Sequence, residues 1–171
     1  AVKNGTLDEQ VLDTAVERIL NIIFKYTDNR QPGRFDLAED HKLAVRIAEE
    51  SMVLLKNDGI LPLKTEGQKI AFIGKFAKNP RFQGGGSSHI NSFKVESALD
   101  AVKEYTEVTY AQGYDVKEDK IEEAMLKEAV ETAKAADVAV IFAGLPDAFE
   151  SEGYDREHMA MPNCQNILIE D

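Results

Sequence analysis

Three short apolar runs constrain this chain most: Lys69-Ile70-Ala71-Phe72-Ile73-Gly74, Val108-Thr109-Tyr110-Ala111 and Asp137-Val138-Ala139-Val140-Ile141-Phe142-Ala143-Gly144. A near-continuous apolar run of this length, ending in glycine, reads as a strand buried on both faces, which is the habit of parallel sheets. The segments between them are patterned as helices. Residues 94–105 put Val95, Ala98, Leu99 and Val102 on one face, residues 118–135 do the same with Ile121, Ala124, Met125, Ala129 and Ala133, and a further helix starts near Asn163. Strands alternating with helices predict an α/β fold with a mostly parallel sheet, helices on both faces and right-handed crossovers. Three strands fall short of the usual five or six, so the expectation is a partial α/β sandwich.

The first third of the chain has a different texture. Residues 1–30 are expected to form one amphipathic helix, opened by a Thr6/Glu9 capping box and carrying Val11, Leu12, Val16, Ile19, Leu20, Ile23 and Phe24 at helical spacing. Residues 27–35, with Pro32-Gly33, read as a loop. A second helix is expected from Asp36 to about Lys56, ended by Asn57-Asp58-Gly59. The run Ile60–Leu63 is extended, and Pro62 disfavours a central strand there. This divides the chain into 1–30, a linker with a connecting helix at 31–68, and an α/β unit at 69–171.

Charge and cysteine content narrow the function classes. With 20 Lys+Arg against 31 Asp+Glu the net charge is −11, which disfavours nucleic acid and anionic membrane surfaces as partners. No apolar run approaches the ~20 residues of a membrane span. The single cysteine, Cys164, rules out an internal disulfide and a multi-cysteine metal cluster; beside the apolar run 166–169 it reads as a packing residue. The apolar pattern still running at Asp171 suggests a segment of a longer polypeptide.

In open parallel sheets, ligands bind beyond the carboxyl ends of the strands. Two long loops leave such ends here. The first holds Gly84-Gly85-Gly86-Ser87-Ser88-His89: glycines permit close backbone approach, and Ser and His supply hydrogen-bonding groups. It lacks the Gly-Lys-Ser/Thr of a phosphate loop, and Gly74 does not open a dinucleotide fingerprint, so a nucleotide-binding domain is disfavoured. The second holds Asp147, Phe149, Glu150, Ser151, Glu152, Gly153, Tyr154, Asp155, Arg156, Glu157 and His158. Crowded carboxylates raise one another's pKa and suit general acid work, although a solvated acidic loop with Arg156 pairing Asp155 or Glu157 has the same composition. The carboxylates lack EF-hand spacing, and His41, His89 and His158 show no metal-ligand spacing, so no metal or other cofactor is expected.

Taken together, several segments resemble the glycoside hydrolase family 3 β-glucosidases. His41–Asn57 with Ile60–Leu63 is similar to the family's entry into its second domain, Lys69–Gly74 to that domain's first strand, and Gly84–Ser88 and Glu150–Arg156 to two of its active-site loops. Met161-Pro162 followed by Gln165 is similar to the family's Leu-Pro-x-x-Gln. Residues 1–30 look like the last helix of its (β/α)8 barrel domain. The resemblance implies a retaining hydrolase acting on terminal non-reducing β-D-glucosyl residues, with two carboxylates about 5–5.5 Å apart. It implies that the nucleophile is an Asp on the barrel, outside this chain, and that the acid/base lies in the second loop. Glu150 is the first candidate and Glu152 the second. Gly85, Gly86, Ser87 and Ser88 would line the aglycone side, and Phe149 or Tyr154 would stack on a sugar. The partners expected are a β-glucoside or short β-linked oligosaccharide and the remainder of the same polypeptide, with a homo-oligomer as the other way to cover the apolar stripe and sheet edge. A non-catalytic α/β module binding a small ligand or protein at the same loops is the alternative.

Overall fold

The computed structural model describes residues 1–153 and 155–171. It divides into two compact units, Ala1–Ile47 and Ala48–Asp171.

The first unit is helical. Helix α1 spans Glu9–Asp28. Its cap is Asp8, whose carboxylate accepts the Gln10 N–H at 2.9 Å, and not the anticipated Thr6/Glu9 pair. The reason is local: Gly5, at φ +73°, closes a 3-10 turn, and the Thr6 hydroxyl is spent on Asn4 Oδ1 at 2.8 Å. The α1 stripe is amphipathic as patterned, yet none of its residues is buried. Helix α2 runs Leu37–Ser51, with Asp36 Oδ1 accepting the Ala38 and Glu39 N–H groups. It stops five residues short of the expected Lys56. Beyond it the Asn57 side chain accepts from the Gly59 and Leu61 N–H groups and donates to the Leu61 carbonyl, so that residues 57–61 fold around an amide instead of continuing the chain's helix.

The second unit is built on a three-stranded parallel sheet in the order β2-β1-β3. The strands are β1 (Ile70–Ile73), β2 (Val108–Ala111) and β3 (Val138–Ile141), with Ile70 opposite both Val108 and Val138. β1 is central, with a strand on either side and packed residues over both faces, and all four of its residues are buried; β3, expected to be buried as well, is an edge strand and alternates half-buried with exposed residues, Ala139 and Ile141 being exposed. The pleat sends alternate side chains to opposite faces. On one side Ala71, Ile73 and Ala111 pack with Tyr114, Ala129, Cys164 and Leu168. This is the side of α5 (Glu123–Lys134) and α6 (Asn163–Glu170). On the other, Ile70 and Phe72 pack with Ala77, Ala98 and Leu99, under the one-turn helices α3 (Lys75–Lys78) and α4 (Ala98–Ala101). The fold is thus α/β, with a parallel sheet between helices.

Two helices begin later than their patterns suggest, each because a side chain captures a helix end. The segment expected at 94–105 becomes helical only at Ala98, where the Ser97 hydroxyl caps the Asp100 N–H at 3.0 Å. The segment expected at 118–135 starts at Glu123. Asp119 lies outside it because its carboxylate accepts the Asn163 and Cys164 N–H groups, both at 2.8 Å, at the start of α6. Burial works against that charge, but the two donated N–H groups hold the Asp119 carboxyl below its ordinary range. Of the expected inward positions, Ile121 lies before the helix and is exposed, Ala124 lies in its first turn and is exposed, and Ala129 is buried. No helix among the described residues is long and apolar enough to cross a membrane.

Candidate active-site loops

The loops that follow β1 and β3 leave the sheet side by side. Gly74, buried at φ +119°, ends β1 so close to β3 that a Cβ there would lie 3.1 Å from the Phe142 carbonyl carbon. Only glycine satisfies both the contact and the positive φ. The Tyr114 hydroxyl donates to the Phe142 carbonyl at 2.6 Å, and burial pushes its pKa up to about 12. Gln165 fastens the start of the second loop from the helical side. Its amide is 1% exposed, accepts the Gly144 N–H and donates to the Gly144 carbonyl, each at 2.8 Å. One side chain thereby satisfies both polar groups of a peptide position that the strand ladder no longer serves. The Gln165 of the Met161-Pro162-x-x-Gln pattern therefore has a structural task.

Beyond these anchors the two loops hold each other directly. Arg81, in the loop after β1, reaches the loop after β3 with its whole guanidinium. Nε donates to Asp147 Oδ1 at 2.8 Å, Nη1 to the Leu145 carbonyl at 2.9 Å and Glu150 Oε2 at 3.3 Å, and Nη2 to the Glu150 carbonyl at 3.0 Å. Six residues on, the Ser87 N–H donates to Glu152 Oε2 at 2.6 Å. Between them the backbones are in contact: a Cβ on Gly85 would lie 2.9–3.0 Å from Ser151 Cβ and Cα, and one on Gly86 would lie 2.5 Å from Glu152 Cβ and Oε2. The Gly84–Gly86 run is thus a surface against which Ser151 and Glu152 rest. The glycines, expected to let a ligand approach the backbone closely, are approached in this structure by the other loop.

Of the eight candidate residues named from the sequence, five fall into this junction. Gly85, Gly86, Ser87, Glu150 and Glu152 lie at the loop contact. Ser88 is turned back on its own loop, its hydroxyl donating to the Gly84 carbonyl at 3.1 Å. Phe149 is half-buried, and Tyr154 lies outside the described residues. The anticipated upward shift from carboxylate crowding is not found at Glu152. Hydrogen bonds from the Ser87 hydroxyl and N–H hold the Glu152 carboxyl below its ordinary range. Arg156, the expected partner of Asp155 or Glu157, donates from Nη2 to the Ala160 carbonyl at 2.8 Å. Lys75 and Asp115 pair at 2.6 Å across the ends of β1 and β2, and that contact lowers the Asp115 carboxyl. Sequence reasoning missed Arg81. A single arginine in the first loop and a crowd of carboxylates in the second were the available signal. Cys164 sits in the core, where burial, then the Asp119 carboxylate, pushes its thiol up to about 11, in keeping with a packing role.

Residues 52–171 match the family model described as the glycosyl hydrolase family 3 C-terminal domain. Over 99% of its length the chain is 48% identical to the thermostable beta-glucosidase B of Acetivibrio thermocellus, of which it covers 23%. It is 41% identical to an exo-alpha-(1->6)-L-arabinopyranosidase of Bifidobacterium longum, covering 24% of that protein. The crystal structure of the Bifidobacterium adolescentis GH3 beta-glucosidase superposes on 99% of this chain with a TM-score of 0.86 and 39% identity, over 25% of its own length. The chain spans about a quarter of the length of these relatives. By the family model and by its fold, this chain belongs to glycosyl hydrolase family 3.

Proposed function

We propose that this chain is part of a retaining β-glucosidase and supplies its acid/base carboxylate from the loop after β3, while the nucleophile belongs to the remainder of the polypeptide. The single observation that carries the reading is the junction of the two loops, where Glu152 rests on the Gly85-Gly86-Ser87 turn. The 48% identity to a beta-glucosidase supports the substrate class. In this reading residues 1–30 close a barrel domain and residues 69–171 open the sandwich domain.

Glu152 is preferred over Glu150 as the acid/base. Glu150 faces a guanidinium that is fixed by two backbone carbonyls. That contact makes Glu150 part of the clasp between the loops, whereas Glu152 lies at the glycine turn. Glu152 is held by one hydroxyl and one N–H, both neutral. Ionised, it suits the second half of a double displacement, in which it takes a proton from water. A barrel carboxylate about 5–5.5 Å away would raise its pKa and prepare it for the first half, protonation of the glycosidic oxygen. Gly85, Gly86, Ser87 and Ser88 border the aglycone side, and Phe149 offers a ring to a sugar face.

The test is steady-state hydrolysis of aryl β-D-glucosides by the intact protein, with p-nitrophenyl α-L-arabinopyranoside as the competing substrate class. Retention is read from the anomer first released. Glu152→Gln is expected to lower kcat/KM for poor leaving groups roughly 10²- to 10⁴-fold, the range of general acid catalysis, and to spare strongly activated ones. The same pattern in Glu150→Gln instead would move the role to Glu150. If neither variant shows it, or if the 171-residue chain turns over substrate alone, the reading fails. Faster turnover of the arabinopyranoside would move the substrate class.

A further inference from the structure

We propose that Arg81 is a positioning residue for the acid/base carboxylate, a role that rests on the reading of the loop after β3 given above. The argument starts from what Arg81 holds. Its side chain is only 21% exposed, while the carboxylates it meets, Asp147 and Glu150, are 56% and 57% exposed. Ion pairs so open to water contribute little by themselves. The two carbonyls are different. Leu145 and Glu150 bracket the first turn of the loop, and one rigid, planar group grips both, from Nη1 and Nη2. A guanidinium has its donors in a fixed fork, so gripping two acceptors fixes their separation and their relative orientation.

Glu152 lies two residues past the second gripped carbonyl. It is held at its far end by the Ser87 N–H, from the same loop that carries Arg81. The loop after β1 therefore acts as a template with two contact points, Arg81 and Ser87, and the segment 150–152 is stretched between them. Neither point alone suffices. Without Arg81 the peptide at Glu150 can rotate, and the error is carried directly into the direction of the Glu152 side chain. A lysine at position 81 would supply charge and three donors from one atom, but could not span both carbonyls in the fork geometry. The role thus asks for arginine by shape as well as charge.

Arg81→Ala and Arg81→Lys in the intact protein test this, using kcat/KM on two substrates: an aryl β-glucoside with a poor leaving group, which needs the proton, and 2,4-dinitrophenyl β-glucoside, which does not. Loss of position predicts a fall of roughly 30- to 300-fold on the first and less than ~5-fold on the second, since an error near 1 Å costs about 10²-fold. Free guanidinium, but not sodium chloride at the same ionic strength, should restore part of the rate to Arg81→Ala, and Arg81→Lys should remain impaired. An equal loss on both substrates, a loss that follows the fraction unfolded in a thermal melt, or full activity of Arg81→Lys overturns the proposal. Glu152→Gln and Glu150→Gln run beside them separate the two readings. If one shows the leaving-group dependence and Arg81 does not, only the role of Arg81 falls. If neither does, the assignment of the loop falls with it.

Discussion

Replacing Gly86 by alanine isolates the contact between the two loops, because four glycines in this region carry different penalties. Gly86 has φ +89°, and a Cβ there would sit 2.5 Å from Glu152 Cβ and Oε2. Gly153 has φ +100° but open space around it. Gly85 has no positive φ, but its Cβ would press on the Cα of Ser151 at 3.0 Å. Gly84 has no positive φ and would meet only the Ser88 hydroxyl, Oγ at 3.2 Å, which can turn about one bond. Positive φ costs a β-carbon roughly 1–2 kcal/mol, and forcing atoms into an occupied contact costs about 1–3 kcal/mol more. Gly84→Ala should therefore be nearly neutral. Gly153→Ala should cost roughly 1–2 kcal/mol by strain alone, and Gly85→Ala about 1–3 kcal/mol by contact alone. Gly86→Ala should be the worst, at about 2–5 kcal/mol of loop energy; the Glu152 carboxyl can swing away, but its Cβ, 2.5 Å off, moves only with the backbone. Limited proteolysis of the two loops, with kcat/KM on the poor-leaving-group glucoside, reads the outcome. Gly86→Ala should lose most activity and Gly153→Ala little, although both carry strained φ. If the two are equivalent, or if Gly84→Ala is as damaging as Gly86→Ala, the loops do not meet as described.

Three further outcomes follow from the same geometry. Gln165→Leu leaves both the N–H and the carbonyl of Gly144 without partners in a buried place, and should destabilise the second unit by roughly 2–4 kcal/mol in urea unfolding, at about 1–3 kcal/mol per orphaned group tempered by relaxation. Ser87→Ala removes the leading cause of the lowered Glu152 pKa, so the Glu152 carboxyl, followed by carbon-13 NMR, should titrate at higher pH than in the parent. The sign is set by linkage: a depressed carboxyl stabilises the folded loop above the ordinary glutamate range, and that contribution is lost as pH falls through the lowered value; in Ser87→Ala the loss should be smaller. Cys164, buried and raised to about 11, should react with an aromatic disulfide at pH 8 only as fast as the unit opens, and denaturant should release it.

The parallel strands could be read from sequence because their signal is local. An uninterrupted apolar run such as Ile70–Ile73 has no exposed face to pattern, and burial on both sides is the consequence. The two candidate loops were likewise visible as departures from that pattern at the carboxyl ends of β1 and β3. Helix ends were less visible. Asp119 has the composition of a residue inside or capping its own helix, yet it caps a helix 44 residues away; no window around position 119 contains that fact. The same holds for Arg81. Its three partner residues lie 64–69 positions further on, and the two loops become neighbours only because β3 pairs with β1 and not with β2. The sequence by itself determined which segments are strands and helices and that the loop after β3 is acidic, since these follow from periodicity and side-chain type. The tertiary structure decided which carboxylate is tied to a cation and which rests on the glycine turn, because hydrogen bonds reach only about 3 Å and strand order sets which loops come that close.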